Sequence, residues 1–183
     1  MEILIEKFGL YEGINEVIGI TFGEWINTAP VGLIVGDDVR VRLYSNHTRE
    51  FVDKSGTLYV NVIYDPLVFV ISAFEDLGKE WFESLDPPVI KGSLSWVKFR
   101  AMLDGNFAVL EFLEGDVLRK EVRAVNRGFN ALIEATVHAT RYVLTGSKTL
   151  ADKIRYYGRI VERCGGSREK EAYRLLVKYA GLD

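Results

Sequence analysis

The chain has 183 residues, of which 48% are hydrophobic and 27% are charged, and its formal net charge is −3. A length of this order corresponds to about one domain, and the composition excludes disordered, collagen-like and low-complexity proteins. The single cysteine, Cys164, excludes an intramolecular disulfide framework and a thiolate metal cluster.

The start of the chain and its hydropathy predict a soluble, cytoplasmic protein. Glu2 lies where a signal peptide carries basic residues. The longest apolar stretch, Leu67 to Phe74, is shorter than the roughly 18 residues of a membrane span. The net negative charge gives no case for nucleic-acid binding. We therefore expect neither a membrane nor a nucleic-acid partner.

Charge is distributed unevenly along the chain. Residues 147–183 contain nine Lys or Arg and five Asp or Glu, a net charge of +4, whereas residues 1–146 carry −7. A basic region of this kind can bind an acidic partner. The alternative is that these residues form the solvated faces of helices.

The first two-thirds of the sequence have the pattern of β-strands. Apolar and polar residues alternate from Val39 to Tyr44, as in a half-buried strand, and Gly36-Asp37-Asp38 predicts a hairpin turn before it. Further strands are predicted over 14–22, 31–35, 57–63, 93–103, 107–113 and 117–124, with an irregular connection over 79–91. Short turns between so many antiparallel strands predict a closed or nearly closed β-barrel.

Helical signals interrupt and then follow the strands. Asp65-Pro66 is a helix-start signal and predicts a short buried helix over 67–74. From about Arg127 the apolar period becomes helical, with breaks at Gly146 and Gly165-Gly166. The sequence therefore predicts a mainly β protein with a barrel domain over 1–125 and a C-terminal helical extension over 126–183.

Two polar segments border the predicted hairpin. Asn27-Thr28-Ala29-Pro30 leads into its first strand, and Ser45-Asn46-His47-Thr48-Arg49 leaves its second. Because the strands pair antiparallel, the two segments lie together at the open end of the hairpin.

The residue types in these segments suit a phosphorylated ligand. Arg49 can form two parallel hydrogen bonds with a phosphate, and Ser45 and Thr48 can donate hydroxyl hydrogen bonds. The alternative is an ordinary polar loop held by Asx and Ser/Thr turns.

These segments resemble the FMN-binding split barrels of the flavin reductase-like class. In that class an Asn-x-x-Pro-like segment borders the flavin ring, a Ser-x-x-Thr-Arg-like segment meets the FMN phosphate, and a Gly-x-x-x-Val-Asn segment follows, here Gly56 to Asn61. The start Glu12-Gly13-Ile14-Asn15-Glu16 and the helical tail are similar to a largely archaeal branch of the class, the domain of unknown function 447. The resemblance covers almost the whole chain.

The resemblance implies FMN as the cofactor and assigns residues to its parts. Asn27, Thr28, Ala29 and Pro30 would line the ring, and Ser45, Thr48 and Arg49 would bind the phosphate. Asn61 would contact the ring or the ribityl chain, and His47 would be a neighbour of the phosphate. For Asn61 the alternative is a structural hydrogen bond between strands. No residue is identified as a catalytic acid or base.

The function implied is that of an FMN-dependent oxidoreductase with an unknown substrate. The resemblance also implies a homodimer with the flavin at or near its interface, and a small-molecule electron donor or acceptor. The alternatives are a non-catalytic flavin carrier or sensor, and a binding module that uses its basic helices. Glu134 and His138 are spaced i, i+4, which suits a helix-surface salt bridge better than a metal site, so we expect no metal.

Overall fold

The protein folds into two units, seen in a computed structural model that describes residues 5–44 and 46–182. One unit is the chain up to Tyr64 together with Asp76–Glu121, and the other is Asp65–Glu75 together with the chain from Val122 onward. Residues 65–75 thus cluster with the C-terminal helices, although they lie within the 1–125 region in sequence. The predicted fold class, a β-barrel with a C-terminal helical extension, is confirmed.

The first unit is built on six long or medium strands. They are β1 (Gly13–Phe22), β2 (Ile26–Val35), β3 (Val39–Arg42), β4 (Thr57–Val62), β7 (Ser95–Asp104) and β8 (Phe107–Val117). All pairs are antiparallel, and they close into a barrel in the order β1-β2-β3-β8-β7-β4. The irregular connection predicted over 79–91 is wrong, because this stretch forms a 3-10 turn (Lys79–Trp81) and a hairpin of β5 (Phe82–Leu85) and β6 (Pro88–Ile90).

The barrel interior is filled by every second residue of its strands. Leu33 and Val35 of β2 and Leu58 and Val60 of β4 belong to one buried cluster, as does Phe99 of β7. Each such side chain contributes about 1.5–3 kcal/mol by leaving water. Alternation therefore fixes which residues of β2 face inward and which face outward.

The break predicted between the strands 107–113 and 117–124 is wrong, and so is the second of these strands. Strand β8 runs on to Val117, and Gly115 lies within it opposite Val97. A Cβ atom at Gly115 would lie 2.6 Å from the Trp96 carbonyl oxygen and 3.1 Å from the Phe8 ring. The glycine therefore permits a close approach inside a strand, which is the other common use of glycine in a β pattern.

The polar segment after β3 is the start of a helix, where no helix was predicted. Helix α1 (His47–Ser55) begins at Asn46, whose side chain accepts a hydrogen bond from the Arg49 N–H, and ends at Gly56 with a φ of 62°. It contacts β1, β2 and β7. Because β7 is not a neighbour of β1 or β2 in the barrel, α1 must cross one open end of it. Phe51 and Val52 are buried there.

The second unit consists of four helices. They are α2 (Pro66–Phe74), α3 (Arg127–Thr145), α4 (Lys148–Cys164) and α5 (Ser167–Ala180). Asp65 caps α2 by accepting from the Leu67 N–H at 3.0 Å, as predicted, and also accepts from the Arg168 Nε at 3.0 Å. Within the described parts of the chain, none of the helices combines the length and the apolar character that crossing a membrane requires.

The buried face of α3 agrees with the predicted one only in part. The helical period predicts one inward side made of Phe129, Ile133, Thr136, Val137, Thr140 and Leu144. Thr136 is buried as predicted, whereas Leu144 is 84% exposed. The buried residues also include Leu132 and the alanines Ala131, Ala135 and Ala139. Small side chains allow α3 to pack closely, so the buried face is shifted toward the alanines.

Candidate functional site

The first polar segment lies inside β2, not before it. Asn27 is opposite Thr21 and Pro30 is opposite Ile18 on β1. On its other side, β2 pairs with β3 from Leu33 to Val35, and among the described residues the pairing extends no further toward Asn27. Residues 27–30 therefore form a strand with one edge not paired to β3, which is where a proline without an N–H is tolerated.

Asn27 joins the two predicted segments directly. Its side chain is buried, and its Nδ2 donates to the Thr21 Oγ1 at 3.1 Å and to the Thr48 Oγ1 at 2.9 Å. Thr48 lies in the first turn of α1 and is also buried. The structure thus confirms that the segments lie together, and it commits both N–H donors of Asn27 to contacts within the protein.

Thr28 points to the outside of the barrel and is held by a stretch that sequence reasoning missed. Its backbone N–H donates to the Asp76 Oδ1 at 2.8 Å, and its hydroxyl oxygen accepts from the Leu77 N–H at 2.9 Å. Asp76 is 48 residues away in sequence, so no local pattern signals the contact. Ala29 packs toward the barrel core, and Pro30 is half-buried on the outer side.

The Arg49 side chain contains a buried donor without a partner among the described residues, which indicates a ligand site. Its Nη1 nitrogen is buried, and among the described residues it has no hydrogen-bond partner. The side chain lines an open cleft of about 620 Å³ at the start of α1. The cleft is lined by Asn46, His47, Arg49, Glu50, Asp53 and Leu103.

The charges around this cleft are partly neutralised within α1. Glu50 accepts from the Lys54 Nζ at 2.7 Å, and this hydrogen bond and charge hold the pKa of Glu50 below its usual range, with a smaller contribution from His47. The Glu50 carboxylate is therefore ionised but paired. Its repulsion of an anion near Arg49 is correspondingly reduced.

An aromatic cluster adjoins the cleft. The Trp25 ring lies edge-on to His47 at 5.0 Å between centroids and to Phe51 at 4.9 Å. Trp25 is 40% exposed, and its Nε1 donates to the Asp76 Oδ2 at 2.8 Å. His47, predicted as a neighbour of the phosphate, thus contacts Trp25 and also lines the cleft of Arg49.

Two predicted site residues are not part of this group. Ser45 lies outside the described residues. Asn61 is fully buried in β4, where its side chain donates to the Pro88 carbonyl at 3.0 Å and accepts from the Ile90 N–H at 2.7 Å and the Ser93 hydroxyl at 2.9 Å. These contacts are those of the structural alternative. Over residues 5–44 and 46–182, no three His, Cys, Asp or Glu side chains are grouped to hold a metal ion.

Comparisons with known proteins identify the family. Residues 15–131 match the family described as "Protein of unknown function (DUF447) N-terminal domain", and residues 126–178 match "Protein of unknown function (DUF447)". The crystal structure of an FMN-bound protein of this family from Methanosarcina mazei is 40% identical, with a TM-score of 0.88 over 96% of this chain and 99% of that one.

Other solved structures are more distant. The flavin reductase component of a bacterial two-component tryptophan halogenase is 14% identical, over 58% of this chain and 81% of its own, with a TM-score of 0.46. Flavoredoxin from Methanosarcina acetivorans is also 14% identical, over 57% and 68%, with a TM-score of 0.40. The two family matches and the 40% identity over nearly the full length confirm the resemblance seen in the sequence, and the chain belongs to the DUF447 family.

Proposed function

We propose that the chain binds FMN, with the flavin phosphate at the start of α1 and the ring beside residues 27–30, on the edge of β2 that does not pair with β3. The observation that carries the proposal is the buried, unpartnered Nη1 of Arg49. Leaving such a donor unsatisfied costs about 1–3 kcal/mol, and more when the group is charged. A phosphate oxygen in the cleft would satisfy it.

The start of α1 has the other features of a phosphate site. The first N–H groups of a helix lack intrahelical partners and carry a partial positive charge, which favours an anion. In α1 the Arg49 N–H is capped by Asn46, so the groups that would face a phosphate are those of His47 and Thr48. Arg49 adds a full charge that can pair with two phosphate oxygens. Asn27 Nδ2 donates to Thr48 Oγ1 at 2.9 Å, and this hydrogen bond holds the first turn of α1 in place without a ligand.

The edge of β2 that does not pair with β3 offers acceptors for a flavin ring. The Thr28 N–H points away from β1 toward Asp76, so the Thr28 carbonyl faces the same edge, and so does the Pro30 carbonyl two residues on. The N3–H of an isoalloxazine ring is a donor that such a carbonyl could accept from. The Thr28 N–H and hydroxyl are already engaged, so Thr28 would contribute only its carbonyl to the ring.

Family membership supports the choice of flavin. The Methanosarcina mazei relative is FMN-bound, and the two chains align over nearly their full lengths. We therefore expect wild-type protein to bind FMN at least about tenfold more tightly than riboflavin, because riboflavin lacks the phosphate that Arg49 would hold. Parallel titrations of flavin fluorescence test this, and equal affinities would contradict a phosphate site.

We infer that the bound flavin transfers electrons to or from a small molecule. FMN supplies hydride and one-electron chemistry, while the protein binds and orients it and tunes it by hydrogen bonds. Anaerobic mixing with NADH, NADPH or a reduced deazaflavin should bleach the flavin absorption, because two electrons pass from the donor to the flavin. Reduction by dithionite but by none of the three donors would favour the alternative of a flavin carrier or sensor.

We also infer a cytoplasmic homodimer. Ile14 on β1 is 71% exposed and lies opposite Ile34, which alternation places on the outer face of β2. An apolar strand pair of this kind is a typical contact surface, and twofold dimers are the commonest oligomers. Light scattering should show that Ile14→Lys favours the monomer, whereas Leu144→Lys, at an exposed position at the end of α3, leaves the dimer intact. Cell fractionation tests the location.

A groove in the helical unit favours a second candidate function, the binding of an acidic partner. Arg155, Arg159 and Arg163 lie one turn apart on α4 and line an open groove of about 560 Å³ with Tyr173 of α5. Arginine at this spacing can pair with successive carboxylates. Arg159→Glu should abolish such binding without affecting FMN affinity.

A further inference from the structure

We propose that Asp76 is a positioning residue of this site. It fixes the ring side, at Thr28, relative to the phosphate side, which Trp25 contacts through His47. This inference rests on the proposed flavin site. Asp76 is not part of a β-strand, and it lies in the stretch of chain that follows α2. Its carboxylate nevertheless joins both sides of the site.

The two oxygens of Asp76 hold two different groups. Oδ1 accepts from the Thr28 N–H at 2.8 Å, and Oδ2 accepts from the Trp25 Nε1 at 2.8 Å. Hydrogen bonds to an ionised carboxylate are shorter and stronger than neutral ones. Because each oxygen has its own donor, the carboxylate fixes the strand backbone at residue 28 and the indole at residue 25 relative to each other.

The residue after Asp76 anchors this contact. Leu77 is buried, and its backbone N–H donates to the Thr28 Oγ1 at 2.9 Å. Asp76 itself is exposed. The carboxylate is therefore placed by a buried neighbour while it remains at the surface. Thr28 is held by the Asp76 carboxylate and the Leu77 N–H, in addition to its own strand pairing.

The Trp25 indole links Asp76 to the helix that would bind the phosphate. Trp25 contacts His47 and Phe51 of α1 edge-on, at 5.0 and 4.9 Å between ring centroids. At 40% exposure, Trp25 is not fixed by burial alone. The hydrogen bond to Asp76 thus keeps the Trp25 ring in contact with His47, which lines the same cleft as Arg49.

Asparagine at position 76 separates positioning from simple charge. Asn is almost the same size as Asp, but one of its two acceptor positions becomes an NH₂ donor, which cannot accept from either the Thr28 N–H or the Trp25 Nε1. Asp76→Asn should weaken FMN and riboflavin binding alike, by about three- to tenfold, since the residue acts on the shape of the site and not on the phosphate alone. It should also alter the near-ultraviolet circular dichroism of Trp25.

The experiment compares Asp76→Asn, Trp25→Phe, the double variant and the control Asp37→Asn. Asp37 lies in the exposed turn between β2 and β3, at the far end of β2, so the control makes the same chemical change away from the site. Affinities for FMN and riboflavin are measured well below the unfolding temperature of each variant. We expect the effects of Asp76→Asn and Trp25→Phe to be less than additive, because Asp76 acts on the phosphate side through Trp25.

The outcomes separate this inference from the proposed function. If wild-type protein binds FMN and Asp76→Asn binds it equally well, the positioning role is refuted and the flavin site stands. Additive effects in the double variant, or a lower unfolding midpoint with unchanged flavin affinity and spectrum, would also refute it, since they indicate a merely structural residue. If wild-type protein does not bind FMN, the proposed function fails first.

Discussion

Replacing Arg49 by alanine tests the phosphate side of the site most specifically. The variant removes a guanidinium whose Nη1 is buried and, among the described residues, has no hydrogen-bond partner. Loss of a charge-assisted hydrogen bond costs about 1.5–3 kcal/mol, which is about a ten- to hundredfold loss of affinity. FMN should lose this much, whereas riboflavin, without a phosphate, should bind nearly as it does to the wild type.

Fluorescence titration of both flavins against both proteins measures the effect. Arg42→Ala is a matched control, because Arg42 is exposed, lies over the Tyr44 ring at 5.3 Å and does not line the cleft. The stabilisation of the protein by saturating FMN should fall by the same free energy, since ligand stabilisation depends on the logarithm of affinity. Equal losses for FMN and riboflavin, or an unchanged FMN affinity, would refute the assignment of Arg49.

Three further predictions follow from the described contacts. Asn27→Ala should release Thr48 and weaken FMN binding by up to about tenfold, read by the same titration; unchanged affinity and unchanged flavin absorption would contradict a role for Asn27. Gly115→Ala should destabilise the protein by about 1–3 kcal/mol in urea unfolding, because its Cβ would meet the Trp96 carbonyl oxygen, and a stability equal to that of the wild type would show that β8 can shift. Burial, together with the charge of Lys153, lowers the pKa of His138 in the folded protein. Because the unfolded chain then binds the proton more readily, the stability of the fold decreases as the pH falls below about 6.5. His138→Gln should therefore lose less stability than the wild type between pH 7.5 and pH 5.5, and an equal or larger loss would contradict this sign.

The sequence was most informative where a local pattern has one physical solution. Alternation over Val39–Arg42 and the helix start at Asp65 lie where they were predicted, because a half-buried strand and a capped first turn each require particular residues at a fixed spacing. The proximity of Asn27 and Thr48 was also predicted, from the antiparallel hairpin. The contact itself depends on the unpredicted helix α1, since residues 27–30 lie beyond the stretch of β2 that pairs with β3.

Predictions failed where packing overrides local signals. Asn46 and Gly56 are ordinary helix caps, but the polar residues between them hide a helix that buries only Thr48, Phe51 and Val52. Gly115 has the appearance of a turn residue, and only the Trp96 carbonyl across the strand pair explains its place in β8.

The contact missed at the site itself has no sequence signal. Asp76 reaches Thr28 from 48 residues away, after the chain has passed through the other unit. Asn61 shows the converse, since a polar residue in an apolar strand fits a ligand contact and a structural bond equally well. Only its three bonds to residues 88–93 distinguish the two.

The visible spectrum of the purified protein after incubation with FMN and removal of free flavin tests the central claim most directly. A chain whose Arg49 and first turn of α1 hold a flavin phosphate should retain close to one flavin per chain, with the two flavin absorption bands shifted from those of free FMN, and denaturation should release FMN intact. A colourless protein that neither retains nor rebinds FMN would contradict the account.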